Sequence, residues 1–331
     1  MIVVVLSSIK RWGANTAEDF FLSNRDMHWW AIGTSLFASN IGAEHFVGQA
    51  GAAAATGVGV GGYEWTAAFL LILLGWIFYP VYRAANVATI PEYVERRFNV
   101  TCRVVLIIYS FVAYIITKIA ATLFAGGIVF DVVLGWNMWV SISVIIAVTA
   151  IYDTAGGLTA VMYTDGLQAL IFTIGGLCGM VVAFSKFGSM RELQETLDEA
   201  GLGNFFDILR PPSDKNYPWT GMLIGQIISS IWYWDIDQEM VQRVLAARSL
   251  RAARTGIILA AFLKVLPIFM IVFPGMIARA MYEACVMSGG ERFASWCMTD
   301  LHIEKESNKA YPYLIIKVRA IVNHTCLLYI C

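Results

Sequence analysis

The chain has 331 residues, of which 58% are hydrophobic and only 14% charged, with a net charge of −1 and a mean hydropathy of +0.66. Soluble domains average about 25% charged residues, so this composition excludes an ordinary soluble domain and points to a membrane protein. The near-neutral balance offers no argument for nucleic-acid partners. Six scattered cysteines, with no CxxC pair and no neighbouring histidine cluster, lack zinc-site spacing. Cys285 and Cys297 share one polar loop and can form a disulfide if that loop is extracellular.

A bilayer core takes about 20 apolar residues per helix. On that measure residues 1–9 form a stub too short to cross, either part of a longer helix or a signal-peptide core without its basic flank. Seven full spans follow, near 28–55, 61–82, 104–134, 137–152, 157–185, 220–242 and 253–282, and the whole is expected to be one multi-pass transmembrane domain. Lysine and arginine concentrate in alternate loops: Lys10, Arg11 and Arg25; then Arg83, Arg96, Arg97 and Arg103; then Arg243, Arg248, Arg251 and Arg254. Those loops are expected on the cytoplasmic side. The Asn99-Val100-Thr101 sequon falls there, where glycosylation does not occur.

Breaks and charges inside spans are the informative residues, because unpaired polar groups in lipid are costly and persist where a cavity or pathway needs them. The first span reads SLFASNIGAEHFVGQAGAAAATG, with Asn40, Glu44, His45 and Gln49 in its middle. Close helix packing explains its glycines but not those polar residues together. A helix interrupted near Ile41 to Glu44 exposes carbonyls for a small cation and a helix end for a polar solute. Glu64 opens the second span, Lys118 lies deep in the third, Asp165 in the fifth, and Lys264 in the seventh ahead of Pro267 and Pro274, which predict a kink. For each alone, a structural ion pair and a substrate contact are equal readings; together they point to a shared polar cavity. In the sixth span Ser230, Tyr233, Trp234, Asp237 and Gln238 sit near the centre. Aromatic faces beside hydroxyls suit a sugar ring, while an interfacial aromatic belt is the plainer alternative.

These residues carry a resemblance. ASNIGAEHFVG, YEW, TIPEYVERRFN, ITKIA, YDTAGGLTAVMYTDGLQ, PWTG, IWYWDIDQEMVQRVLAA and AFLKVLPIFMIVFPGMIAR resemble, in order and spacing from about Phe20 to Lys317, the sodium/glucose cotransporters of the sodium:solute symporter family. The resemblance implies an all-α, inverted-repeat transporter of two five-helix units with a broken first helix. It implies sodium-coupled symport of a sugar or polyol, with glucose and myo-inositol as examples. It further implies sodium as cosubstrate with no cofactor, a plasma-membrane location, and no enzymatic activity.

On that pattern Ala38 and Ile41 offer backbone carbonyls to sodium, and the sugar contacts fall on His45, Glu64, Ser230 and Lys264, with Asn40 beside them. Tyr233 matches the inner-gate aromatic, with Trp234 next to it. Asp165 matches an acid associated with cation coupling, and Lys118 a lysine that supports the cavity. Gln49 stands where the family has Leu or Met, Asp235 where it has Cys or Gly, and Ser230 where it has Thr or Asn. After AYPYLIIK the chain leaves the pattern and ends in VRAIVNHTCLLYIC, so an incomplete second repeat is expected, with the tail 318–331 anomalous. A non-transporting fragment or a sugar sensor of the same fold is the alternative function.

Overall fold

A computed structural model describes residues 17–291, Cys297 and 306–321. The stub 1–9 and the last ten residues of the expected tail lie outside the described residues. Among the described residues the structure is helical, with no strand beyond two isolated bridges.

The helix boundaries follow from caps. Thr89, Asn99, Asn137, Ser189, Asp237 and Ser249 each accept a backbone N–H at a helix start, with Asn99 taking Cys102 at 2.9 Å and Ser249 taking Ala252 at 3.0 Å. Such a cap satisfies an amide that has no partner within the helix. The residue of the discarded sequon thus has a structural role.

Four helical runs are long and apolar enough to cross a bilayer: Val58–Ala84, Val100–Leu134, Gly157–Phe184 and Leu250–Met287, of 27, 35, 28 and 38 residues. The predicted fourth and fifth spans are two helices within Met138–Phe184 that meet at Gly157, where φ is +57° and ψ −171°, outside the helical region. The first and sixth spans are interrupted instead. The first runs Trp29–Asn40, breaks, and resumes in a π-helical turn His45–Gln49 and the helix Ala50–Thr56. The sixth runs through Gln226–Ile231 and a π-helical turn Trp232–Ile236, then turns at Asp237 into Gln238–Leu245.

The three basic loops meet at one end of the bundle. Met27 pairs with Ala247, Arg25 donates to the Val87 carbonyl at 3.3 Å, and Arg83 to that of Ala247 at 3.4 Å. The loops assigned to the opposite face meet at the other end, where Arg210 donates to the carbonyl of Thr56. In the far loop 283–310 the structure joins Cys285 to Cys297.

The first span is clamped to the seventh at two levels. A Cβ on Gly33 would fall 2.6 Å from the Gly256 carbonyl oxygen, and one on Gly256 would fall 2.6 Å from that of Trp29. Beyond the break, a Cβ on Gly275 would meet the Ala50 carbonyl oxygen at 2.2 Å. Backbones approach this closely only where side chains are absent. Outside this packed centre, Val100–Leu134 turns Val105, Ile108, Phe111 and Ile116 outward. An exposed apolar band of this kind is what a helix in a bilayer presents to lipid.

Candidate functional site: a polar cavity at the helix breaks

Helical pairing in the first span stops at Asn40. Ile41 is extended, with φ −99° and ψ 104°, and its N–H still bonds the Phe37 carbonyl at 3.2 Å. The carbonyls of Ala38 and Ile41 therefore lie at the interruption. Lys264 ends the helix Leu250–Leu263, and the chain resumes in a π-helical turn Ile268–Val272 after Pro267, as the prolines predict.

Between the breaks lies a cavity of about 530 Å³. That volume lies in the range of small-molecule sites, about 300–1,000 Å³. Seven sequence-predicted residues line it: Asn40, His45, Glu64, Ser230, Tyr233, Trp234 and Lys264. Lys264 is 1% exposed and lies 2.7 Å from Glu64 Oε2, and it also donates to Asn40 Oδ1. A lone ammonium would be prohibitive there, and the paired acid and amide carry its charge. Asn40 Nδ2 donates onward to the Tyr233 hydroxyl at 3.0 Å, and Lys264 Nζ sits 5.0 Å from the Trp234 ring centre. Gln49 Nε2 donates to Glu64 Oε1 at 3.2 Å, and His45 lies between two acids, 3.7 Å from Glu44 and 3.7 Å from Glu64. Two polar atoms of this wall, His45 Nδ1 and Gln49 Oε1, have no hydrogen-bond partner.

Lys118 and Asp165 lie outside that lining, so the expected charges do not all share one cavity. Lys118 reaches Asp237 at 2.9 Å and Glu239 at 2.8 Å, and its ammonium lies 4.8 Å from the Tyr233 ring centre. The aromatic-belt alternative thus fails for Tyr233, which stands between the cavity and Lys118. Tyr114 donates to Asp237 from the same turn as Lys118. Asp165 accepts from Ser35 at 2.6 Å and Ser39 at 3.2 Å, with Arg243 at 3.7 Å. Arg243 is also 4.0 Å from Glu239, so a polar chain runs from Lys118 to Asp165. Asp235 is fully buried, and neither carboxyl oxygen has a hydrogen-bond partner; the Tyr82 hydroxyl donates to its backbone carbonyl instead, at 2.8 Å.

Glu44 and Gln49 line it too, and Gly48, Ala52, Val60, Tyr63, Ala67, Ser229 and Trp232 complete the wall without having been singled out as site residues. Helical spacing held the signal for three of them: Val60 and Ala67 lie four and three residues from Glu64, and Ser229 lies four from Tyr233. Likewise Thr122, one turn beyond Lys118, donates to Glu44 at 3.2 Å.

Comparison with known proteins completes the picture. The profile of the sodium:solute symporter family matches residues 20–328. The sodium/glucose cotransporter 4 of Danio rerio is 40% identical over 335 residues, covering 96% of this chain and 50% of that protein. The sodium/myo-inositol cotransporter of Mus musculus is 39% identical, covering 96% of this chain and 47% of its own length. The chain thus spans about half the length of these relatives. A solved Na+-coupled sialic acid symporter, substrate-bound and outward-open, superposes with a TM-score of 0.78 at 21% identity over 96% of this chain and 66% of that one. That likeness carries the inverted-repeat transporter fold.

Proposed function

Because the chain belongs to the sodium:solute symporter family, a family of multi-pass membrane proteins, we propose that its cavity receives a sugar or polyol whose passage is coupled to sodium. The observation that carries this reading is the polar wall itself. Lys264, Glu64, Asn40 and Tyr233 satisfy one another, while His45 Nδ1 and Gln49 Oε1 remain open beside the faces of Tyr233 and Trp234. A ring with hydroxyls at its rim and C–H groups on its faces meets both requirements, since buried polar atoms seek partners and aromatic rings take apolar faces. The carbonyls of Ala38 and Ile41 are the proposed sodium contacts on this chain, with Asp165 coupling and Lys118 supporting the cavity wall. Sodium and solute are coupled if each binds better to the state that the other favours.

The test is solute binding to the purified chain in lipid, followed by the fluorescence of Trp232 and Trp234. Glucose or myo-inositol is expected to bind more tightly in sodium than in N-methylglucamine, and cells expressing the chain are expected to take up either solute in a sodium-dependent way. Equal affinity in both salts would remove the coupling. Binding without uptake would favour a sensor or a non-transporting piece.

A further inference from the structure

The arginines at the basic end of the bundle fall into two groups. Arg25, Arg96 and Arg103 each pair with a glutamate, Glu18, Glu92 and Glu95 respectively. Arg83, Arg248, Arg251 and Arg254 have no ion pair among the described residues, and Asp26, beside the Met27–Ala247 bridge, makes none with them. These four line one seam, where the second span ends and the seventh begins. The two helices run antiparallel there, since Arg83 reaches the Ala247 carbonyl at 3.4 Å and Arg254 the Gly75 carbonyl at 3.1 Å. Arg251 and Arg254 lie three residues apart on Leu250–Leu263 and therefore share a face.

Arg254 is the anchored member. Its Nε bonds Gly75, inside the π-helical turn Leu74–Phe78, and its guanidinium lies 5.2 Å from the Trp76 ring centre. Its two terminal nitrogens make no hydrogen bond to a described residue. Trp76 is exposed, as are Phe69 and Ile72 on the same run and Ile258 and Phe262 on the other. An arginine that serves only to orient a loop needs no fixed geometry. This one is held flat on an exposed ring, where apolar surface meets four unpaired positive charges.

We propose that the seam between the second and seventh spans binds an anionic phospholipid of the leaflet on the basic side, its phosphate received by Arg254 and Arg251 and its acyl chains lying along Trp76, Ile72, Ile258 and Phe262. A planar guanidinium with free N–H groups takes phosphate oxygens in pairs. Basic pockets between membrane helices on the lysine- and arginine-rich side suit anionic headgroups, and the apolar flank places the ligand in the bilayer rather than in water. Arg83 and Arg248 add positive charge around the headgroup without touching the solute cavity, so this site is separate from the one described above.

The experiment takes the purified chain in nanodiscs that contain phosphatidylserine and phosphatidylcholine, and reads by native mass spectrometry which lipid stays bound on release. One phosphatidylserine per chain is expected to be retained with about tenfold preference, since each arginine near a membrane surface adds about fivefold or less. Arg254→Gln is expected to remove that preference. Arg251→Gln, whose side chain makes no hydrogen bond, ion pair or ring contact with a described residue and whose loss leaves the fold alone, is expected to lower it about fivefold. Arg96→Gln with Arg97→Gln, which removes two charges from another basic loop, is expected to leave it within about twofold. Equal retention of the two lipids by the unaltered chain overturns the proposal. Equal loss in the Arg96 and Arg97 control and in Arg251→Gln also overturns it, because the preference is then one for general surface charge. Displacement of the lipid by an equal concentration of soluble glycerophosphoserine makes the occupant a free phosphate ester and overturns the lipid assignment.

Discussion

Two lysines lie inside apolar helices of this protein, and their surroundings differ. Lys264 is sealed, with one acid and one amide as partners, and those partners line the cavity. Lys118 is 26% exposed at its side chain and is held by two acids of the sixth span, Asp237 and Glu239, on the far side of Tyr233. One charge is thus part of the wall a solute would touch. The other fastens the short helix after the sixth-span break, since Asp237 caps that helix and is itself buried. An intramembrane charge is costly in either place, and only its partners tell which task it serves.

The comparison is broken most severely at Lys264. Lys264→Met leaves buried Glu64 with only Gln49 and His45 beside it, and loss of one partner of a buried pair costs about 3–5 kcal/mol. A large fall in thermal stability and loss of glucose binding are both expected, and the double variant Lys264→Met with Glu64→Leu should regain stability but not binding. If the double variant binds glucose as well as the original chain, the pair is structural only. Lys118→Met is milder, about 1–3 kcal/mol, because Asp237 keeps the Tyr114 hydroxyl and the Glu239 amide while Glu239 is half open to solvent. It should lower the melting temperature and weaken glucose binding without abolishing it; complete loss would merge the two lysines into one role. Tyr233→Phe, which removes one neutral hydrogen bond with Asn40, should cost about 0.5–1.5 kcal/mol and be read chiefly as a faster solute off-rate.

The smallest effect lies outside the spans, at Glu92. Burial there opposes the charged form, but the Ala88 N–H at 2.7 Å and the Arg96 guanidinium outweigh it and hold the carboxyl below the ordinary glutamate value. A depressed carboxyl contributes stability above its unfolded value, and that stability is lost as pH falls through the folded one. Glu92→Gln should therefore lower the melting temperature slightly at neutral pH and not at all in strong acid. A gap that persists in acid would show that the effect is not ionic.

The spans, the break after Asn40, the kink after Lys264 and the membership of the cavity wall were legible because each is local: a run of apolar residues, a glycine-rich polar interruption, a proline. Partner choice was not. Lys118 reaches acids 119 and 121 residues away, and Asp165 reaches a serine 130 residues away. No periodicity links such positions, so four charges expected in one cavity divide between the cavity and the chain that runs past it. The boundary between the predicted fourth and fifth spans falls at Gly157, whose positive φ ends one helix and lets the next begin. Asp235 shows the reverse case: its acidic neighbours Asp237 and Glu239 are paired, and nothing in the pattern WYWDIDQE marks the first acid as the unpartnered one.

The glycine contacts of the first span have a mechanical meaning. Gly33 with Gly256 below and Ala50 with Gly275 above fasten each half of one interrupted rod to the matching half of another, and the second rod is itself interrupted at Lys264. Two jointed rods fastened on both sides of their joints hold those joints side by side. Asn40 and Lys264 stand at the two joints and bond to each other, so the same hydrogen bond that lines the cavity ties the joints together.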